Sequence, residues 1–185
     1  MGWIMKADER RNNIMEMLIR EKKAIKGTTL ADNFNVTRQI IVKDIAILRA
    51  QGNNIIATPD GYMINDDNSS RVKSVIAVNH NHEDVIKELE IVVKYGGIIE
   101  DVIVEHPLYG EIKGILMIKN LNDLNNFIKR YENNKAKPLS VLTNGVHIHT
   151  ISADNEENME LIKKELKERL DSKKLRAKKK GHTSS

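Results

Sequence analysis

Histidine is the residue type in this sequence with the most chemistry to offer. His147-Ile148-His149 places two imidazoles at i and i+2 within Val146–Ala153, a run that reads as a β-strand. On a strand these two side chains share one face while Val146 and Ile148 point to the other. Such a pair can chelate a divalent ion without distorting the backbone. His80, at the end of the β-rich run Val72–Val78, offers a third nitrogen, and Glu88, in the early turns of a helix read over Glu83–Tyr95, offers a carboxylate. Three nitrogens and one oxygen suit zinc, nickel, ferrous iron or cobalt and disfavour calcium or magnesium. Spacing alone leaves alternatives open. Two solvent-facing histidines are the more frequent meaning of His-x-His, and His82, beside Glu83, competes with His80 for the third position. His106, ahead of Pro107, reads as a hydrogen-bonded loop histidine, a ligand contact or a dimer contact, and His182 lies in the tail.

A second set of residues is suited to reading base edges. Thr37, Arg38, Gln39, Val42 and Lys43 share the exposed side of a helix running from the Thr37 cap to about Gln51, whose inner face is Ile41, Ile45 and Leu48. Arg and Gln make bidentate contacts to guanine and adenine edges, whereas Lys more often meets phosphate. The elements around this helix are those needed to present it. An amphipathic helix over Ala7–Lys22 precedes a short helix at Leu30–Phe34 and a turn at Asn35-Val36. After Gly52, Ile55-Ile56-Ala57, Pro59-Asp60-Gly61 and Tyr62-Met63-Ile64 read as strand, tight turn and strand. Helix, short helix, turn, longer helix and hairpin make a winged helix-turn-helix, in which one helix projects into a major groove. A three-helix unit of this kind can instead serve protein contacts alone, with Arg38, Gln39 and Lys43 as a solvated face. The hairpin is expected to touch DNA only through its amides and Asn53 or Asn54.

The elements that must position the histidines follow a polar linker, Asn65–Ser70. They are strands over Val72–Val78, Ile98–Glu105, Glu111–Ile118 and Val146–Ala153, and helices over Glu83–Tyr95, Asn122–Glu132 and Glu156–Leu170. The order β-α-β-β-α-β-α begins as a ferredoxin-like βαββαβ domain and adds one C-terminal helix. The fold class is α+β, with residues 1–65 as a DNA-binding domain, 71–170 as a three-histidine, metal-binding domain, and 171–185 as a basic, disordered tail.

Composition narrows the function classes. With 185 residues there is room for two small domains, and the absence of cysteine removes disulfides, thiolate nucleophiles and thiolate metal sites. No stretch approaches a membrane span, and the simplest expectation is a cytoplasmic protein. The net charge of +4 suggests nucleic acid until it is divided: residues 1–70 balance to +1, 71–154 to −1 and 155–185 to +4. The excess therefore sits in Lys173, Lys174, Arg176, Lys178, Lys179 and Lys180. A nearly neutral reading head binds weakly as one copy, because phosphate neutralisation supplies much of the affinity, and that favours a dimer on two half-sites.

Several segments together resemble the NiaR-type nicotinic-acid-responsive transcriptional repressors. They are Asn79-His80, Glu88-Leu89, Gly96-Gly97-Ile98-Ile99-Glu100-Asp101-Val102, Glu105-His106-Pro107-Leu108-Tyr109-Gly110, Pro138-Leu139-Ser140, and Gly145-Val146-His147-Ile148-His149-Thr150-Ile151. The resemblance spans roughly Ala7 to Leu170. It implies that His80, Glu88, His147 and His149 ligate one divalent metal ion per chain, nickel or zinc. It also implies that nicotinic acid is the co-repressor, that operator DNA is the partner of a homodimer, and that NAD precursor uptake or synthesis genes are controlled. His106 and Tyr109 are the expected effector contacts. His82 is an imidazole the family pattern does not call for. Two rival functions stand beside this one: a regulator of the same build answering to another small acid or to the metal itself, and a metal-dependent hydrolase with Glu105 as base.

Overall fold

A computed structural model describes residues 5–65, 70–80, 84–134 and 137–180, with side chains through residue 169. The chain divides into two compact units, Met1–Ser69 and Ser70–Ser185.

The first unit contains α1 (Ala7–Glu21), α2 (Gly27–Asn33), α3 (Arg38–Ala50), β1 (Ile55–Thr58) and β2 (Gly61–Ile64). The periodic apolar residues of α1 and α3 make its core: Ile14, Leu18, Ile41, Ile45 and Leu48 are buried together with Ile25, Leu30, Ala31 and Ile55. Each such side chain contributes about 1.5–3 kcal/mol by leaving water. Thr37 caps α3, its hydroxyl accepting from the Ile40 amide at 3.4 Å. Polar residues add what the apolar pattern does not show. Asp44, on the inner side of α3, is 2% exposed. Arg10 Nε donates to its Oδ2 at 2.7 Å and Arg11 Nη1 to its Oδ1 at 3.3 Å, tying α1 to α3.

The hairpin pairs Ile55 with Ile64 and Thr58 with Gly61. Ile25 joins it as one further rung, exchanging backbone hydrogen bonds with Tyr62 at 2.8 and 2.9 Å. A lone paired residue has no period for sequence to reveal. It also explains Gly61, where φ is +132° and a Cβ would stand 2.2 Å from the Ile25 carbonyl oxygen. The expected DNA role of Asn53 and Asn54 meets a competing use. The Asn53 amide donates to the Leu48 carbonyl at 2.9 Å and that of Asn54 to the Asn65 carbonyl at 3.0 Å.

The second unit runs β3 (Val72–Asn79), α4 (Val85–Lys94), β4 (Ile98–His106), β5 (Gly110–Ile118), α5 (Leu121–Asn133), a 3-10 helix at Leu139–Thr143, β6 (Val146–Ala153) and α6 (Glu156–Lys180). Its first six principal elements follow the ferredoxin-like βαββαβ order, and α6 is the added helix. Among the described residues the strands form an antiparallel sheet in the order β3-β6-β4-β5. Each βαβ connection therefore skips over one intervening strand. The core lies between the helices and one sheet face, with Leu89, Val92, Ile99, Ile118, Leu124, Ile151, Met159 and Ile162 buried in it.

Three features go beyond the sequence expectation. The 3-10 helix at Leu139–Thr143 falls where the sequence pattern gives no element. In β5, Met117 has φ +52°, beside a register shift against β4. And α6 continues to Lys180, which corrects the expected unstructured tail as far as that residue. The segment 171–180 lacks glycine and proline and is rich in Lys, Arg, Leu and Ala, which favour helix even where no apolar stripe continues. Residues 66–69 of the expected linker, His82 and the last five residues, with His182, lie outside the described residues.

Candidate functional site

Strand alternation decides where His147 and His149 point. They stand opposite Val78 and Ile76 of β3 and share their face of β6 with Ile151 and Ala153, which belong to the core under the helices. Both imidazoles are therefore buried, 3% and 4% exposed, while Val146 on the other face is 50% exposed. The solvent-facing alternative for the His-x-His pair does not hold. Glu88, on the inner face of α4, is 3% exposed. His80 extends past the end of β3, its side chain 5% exposed.

The four side chains meet. His80 Nε2 is hydrogen-bonded to Glu88 Oε2. His147 Nε2 lies 3.4 Å from the same oxygen, and His149 Nε2 lies 3.5 Å from Oε1. The His147 ring stands edge-on to both neighbours, with centroids 4.9 Å from those of His80 and His149. Ligand atoms of His80, Glu88 and His147 fall within 4.8 Å of one another. His149 closes the group from the Oε1 side.

The outer nitrogens fix the chemistry of the inner ones. His147 Nδ1 is 2.9 Å from the Gly145 carbonyl and His149 Nδ1 is 2.6 Å from the Asp101 carbonyl. A carbonyl oxygen only accepts, so each Nδ1 carries a proton and each ring turns its Nε2 inward toward Glu88. Burial pushes the His149 imidazolium below its usual range, opposed by the charge of Glu88, so the ring is neutral near pH 7. Burial would raise the Glu88 carboxyl, but hydrogen bonding to His147 and His80, with the electrostatic pull of the surrounding imidazoles, outweighs it and holds it at about 2. Imidazole nitrogens and an ionised carboxylate thus face a common centre. This donor set fits a divalent transition ion, which would be held by His80, Glu88, His147 and His149.

Gly145 makes the approach possible. Its φ is +96°, and a Cβ there would stand 2.5 Å from the His80 carbonyl oxygen. Its own carbonyl accepts from the His80 amide at 3.4 Å as well as from His147 Nδ1.

His106 and Tyr109 sit on the β4–β5 hairpin tip, past the Ile103–Ile148 pair and toward the sheet end that carries His147. Their rings stack on each other at 4.9 Å, and the Leu108 amide donates to His106 Nδ1 at 3.2 Å. The hydrogen bond expected of a loop histidine is thus present at His106, and Tyr109 is 72% exposed. In the first unit Thr37, Arg38, Gln39, Val42 and Lys43 are all exposed along the start of α3.

Comparison with known proteins settles the lineage. Residues 10–63 match an HTH domain and residues 73–170 match the 3H domain. The chain is 46% identical over 161 residues to the probable transcription repressor NiaR of Thermotoga maritima, covering 87% of this chain and 91% of that protein. It belongs to the NiaR/NadR-type transcription repressors. A second relative, transcription repressor NadR of Bacillus subtilis, is 35% identical over 154 residues, 82% of this chain and 86% of that protein. The role is thus DNA-binding regulation, which sets aside the hydrolase alternative. Among the described residues no helix is long and apolar enough to cross a membrane.

Asp101 is the site residue that residue-type reasoning did not single out. The signal in sequence was slight: Asp101 stands next to Glu100, just ahead of the apolar run Val102-Ile103-Val104. It is 1% exposed.

Proposed function

We propose that this NiaR/NadR-type repressor holds one nickel or zinc ion per chain between His80, Glu88, His147 and His149 and senses nicotinic acid there as its co-repressor. The observation that carries this reading is the convergence of three imidazole Nε2 atoms on the ionised, buried Glu88. Such a shell of four protein ligands leaves positions on a six-coordinate ion for a pyridine nitrogen or a carboxylate. His106 and Tyr109 are the proposed further contacts of the acid.

In this reading residues 1–65 grip the operator and 71–170 sense metal and acid. Thr37, Arg38, Gln39, Val42 and Lys43 of α3 enter the major groove, and 171–185 add unspecific positive charge. Two chains form a homodimer that spaces two recognition helices about one DNA turn, or a multiple of it, apart. Bound nicotinate favours that spacing, and a hundredfold preference corresponds to about 2.7 kcal/mol of coupling. The genes controlled are those for NAD precursor uptake or synthesis, in the cytoplasm.

The test is elemental analysis of the purified protein followed by titration of an operator fragment with and without nicotinate. The reading expects one metal equivalent per chain and tighter operator binding with nicotinate. Unchanged affinity at saturating nicotinate and metal rejects the co-repressor role. Tightening by the metal alone or by another small acid makes this a regulator of the same build with a different effector.

A further inference from the structure

Asp101 occupies an interruption of the sheet, and the interruption aims it at His149. Between Ile99↔Ile151 and Ile103↔Ile148, β4 carries one residue more than β6. A regular ladder would spend the Asp101 carbonyl on a strand amide. Here that carbonyl accepts from His149 Nδ1–H at 2.6 Å. The Asp101 side chain takes over a ladder role: its Oδ1 accepts from the Thr150 amide at 3.0 Å. Its Oδ2 pairs with Lys113 Nζ of β5 at 2.6 Å. The side chain is almost wholly buried, and its bond to the Thr150 amide pins the bulge rather than leaving it to loop preference.

We infer that Asp101 is a positioning residue for the sensor site: its carboxylate pins the β4 bulge so that its own carbonyl fixes the tautomer and aim of His149. The inference rests on the metal-centre reading for its purpose and on hydrogen-bond geometry alone for its mechanism. A bulged carbonyl that loses its clamp can return to a ladder amide. His149 then has no fixed acceptor, and its proton exchanges between the two ring nitrogens. The Nε2 lone pair is no longer held toward Glu88. Partners of this outer kind typically change metal affinity 10- to 100-fold.

Three proteins test it: the full chain, Asp101→Ala and Asp101→Asn. Asparagine keeps an oxygen for the Thr150 amide but loses the charge facing Lys113. Imidazole nitrogen spectra of the metal-free proteins report the His149 tautomer directly. The full chain and Asp101→Asn should show the Nδ1–H form, and Asp101→Ala a mixture. Zinc titration should then find Asp101→Ala weakened about 10- to 100-fold, with Asp101→Asn close to the full chain. A thermal melt checks that Asp101→Ala is folded. Should that variant unfold, the comparison of Asp101→Asn with the full chain decides alone, and a scrambled tautomer there overturns the role given to the amide-accepting oxygen. An unaltered Nδ1–H tautomer in folded Asp101→Ala overturns the inference. If the full chain binds no zinc or nickel, the metal-centre reading fails while the tautomer comparison still judges the clamp.

Discussion

Asp44 in the first unit and Glu88 in the second are both buried carboxylates, 2% and 3% exposed, and the protein treats them in opposite ways. Asp44 is met by Arg10 and Arg11, whose guanidinium groups stay charged at any physiological pH. Its charge is answered within the chain, and the result is a rivet between α1 and α3. Glu88 is met by imidazoles, and His147 and His149 have committed their protons to backbone carbonyls. None of these partners carries a permanent charge, and the same atoms are suited to a cation from outside. The contrast shows how a buried acid can be told apart as scaffold or as receptor. What matters is whether its partners carry permanent charge.

Breaking the scaffold pair should give the largest loss of stability. Arg10→Ala leaves Asp44 with Arg11 alone and is expected to cost about 3 kcal/mol, read from urea denaturation, with metal content unchanged. A loss below about 1 kcal/mol would place this pair with ordinary surface bridges and blur the contrast. On the receptor side, His147→Ala removes a proposed ligand and should lower zinc affinity by at least about a hundredfold, beyond the effect of outer partners. Chelator competition measures this, and equal affinities would dissolve the receptor. Arg38→Ala touches neither acid. It should weaken specific operator binding by about 1–3 kcal/mol in gel-shift titrations and leave folding and metal content intact.

Acid sharpens the comparison more gently. His149 is held below its usual 6.5, so as pH drops through that value the unfolded chain takes a proton that the folded chain refuses, and stability falls. Glu88 adds a lower limb. Its carboxyl is held at about 2 instead of 4.5, so the stability it contributes above 4.5 is lost as pH falls between those values. The urea midpoint of the metal-free protein should decline from pH 7 toward pH 4, and His149→Asn should flatten the upper part of that decline. The smallest effect belongs to the C-terminal residues. Deleting everything after Leu170 should reduce the salt sensitivity of non-specific DNA binding and spare operator discrimination.

Much of this was readable from residue order because periodicity and capping are local. Ile41, Ile45 and Leu48 announced the inner face of α3, Thr37 its start, and His147-Ile148-His149 a shared strand face. The proximity of His80 and Glu88 to that pair was suggested by their places at a strand end and in the next helix, agreed with the resemblance, and needed the sheet order to become geometry. What stayed hidden is non-local or non-periodic. Ile25 pairs with Tyr62 as a single rung. The bulge at Asp101 exists only as a mismatch between two strands distant in sequence. Asp44 looked like any polar helix residue until α1 supplied its arginines. Whether the histidines faced water or core also could not be decided locally, since alternation fixes which residues share a face and not what covers it.

The bare Cα at residue 145 works as a spacer of zero thickness. Because nothing projects from it, the strand that brings in one imidazole can lie flush against the segment that brings in another, and a single carbonyl steadies both. Even alanine there would wedge the two segments apart by the width of a methyl group. The gauge of the proposed cation cradle is thus set by an atom that is missing.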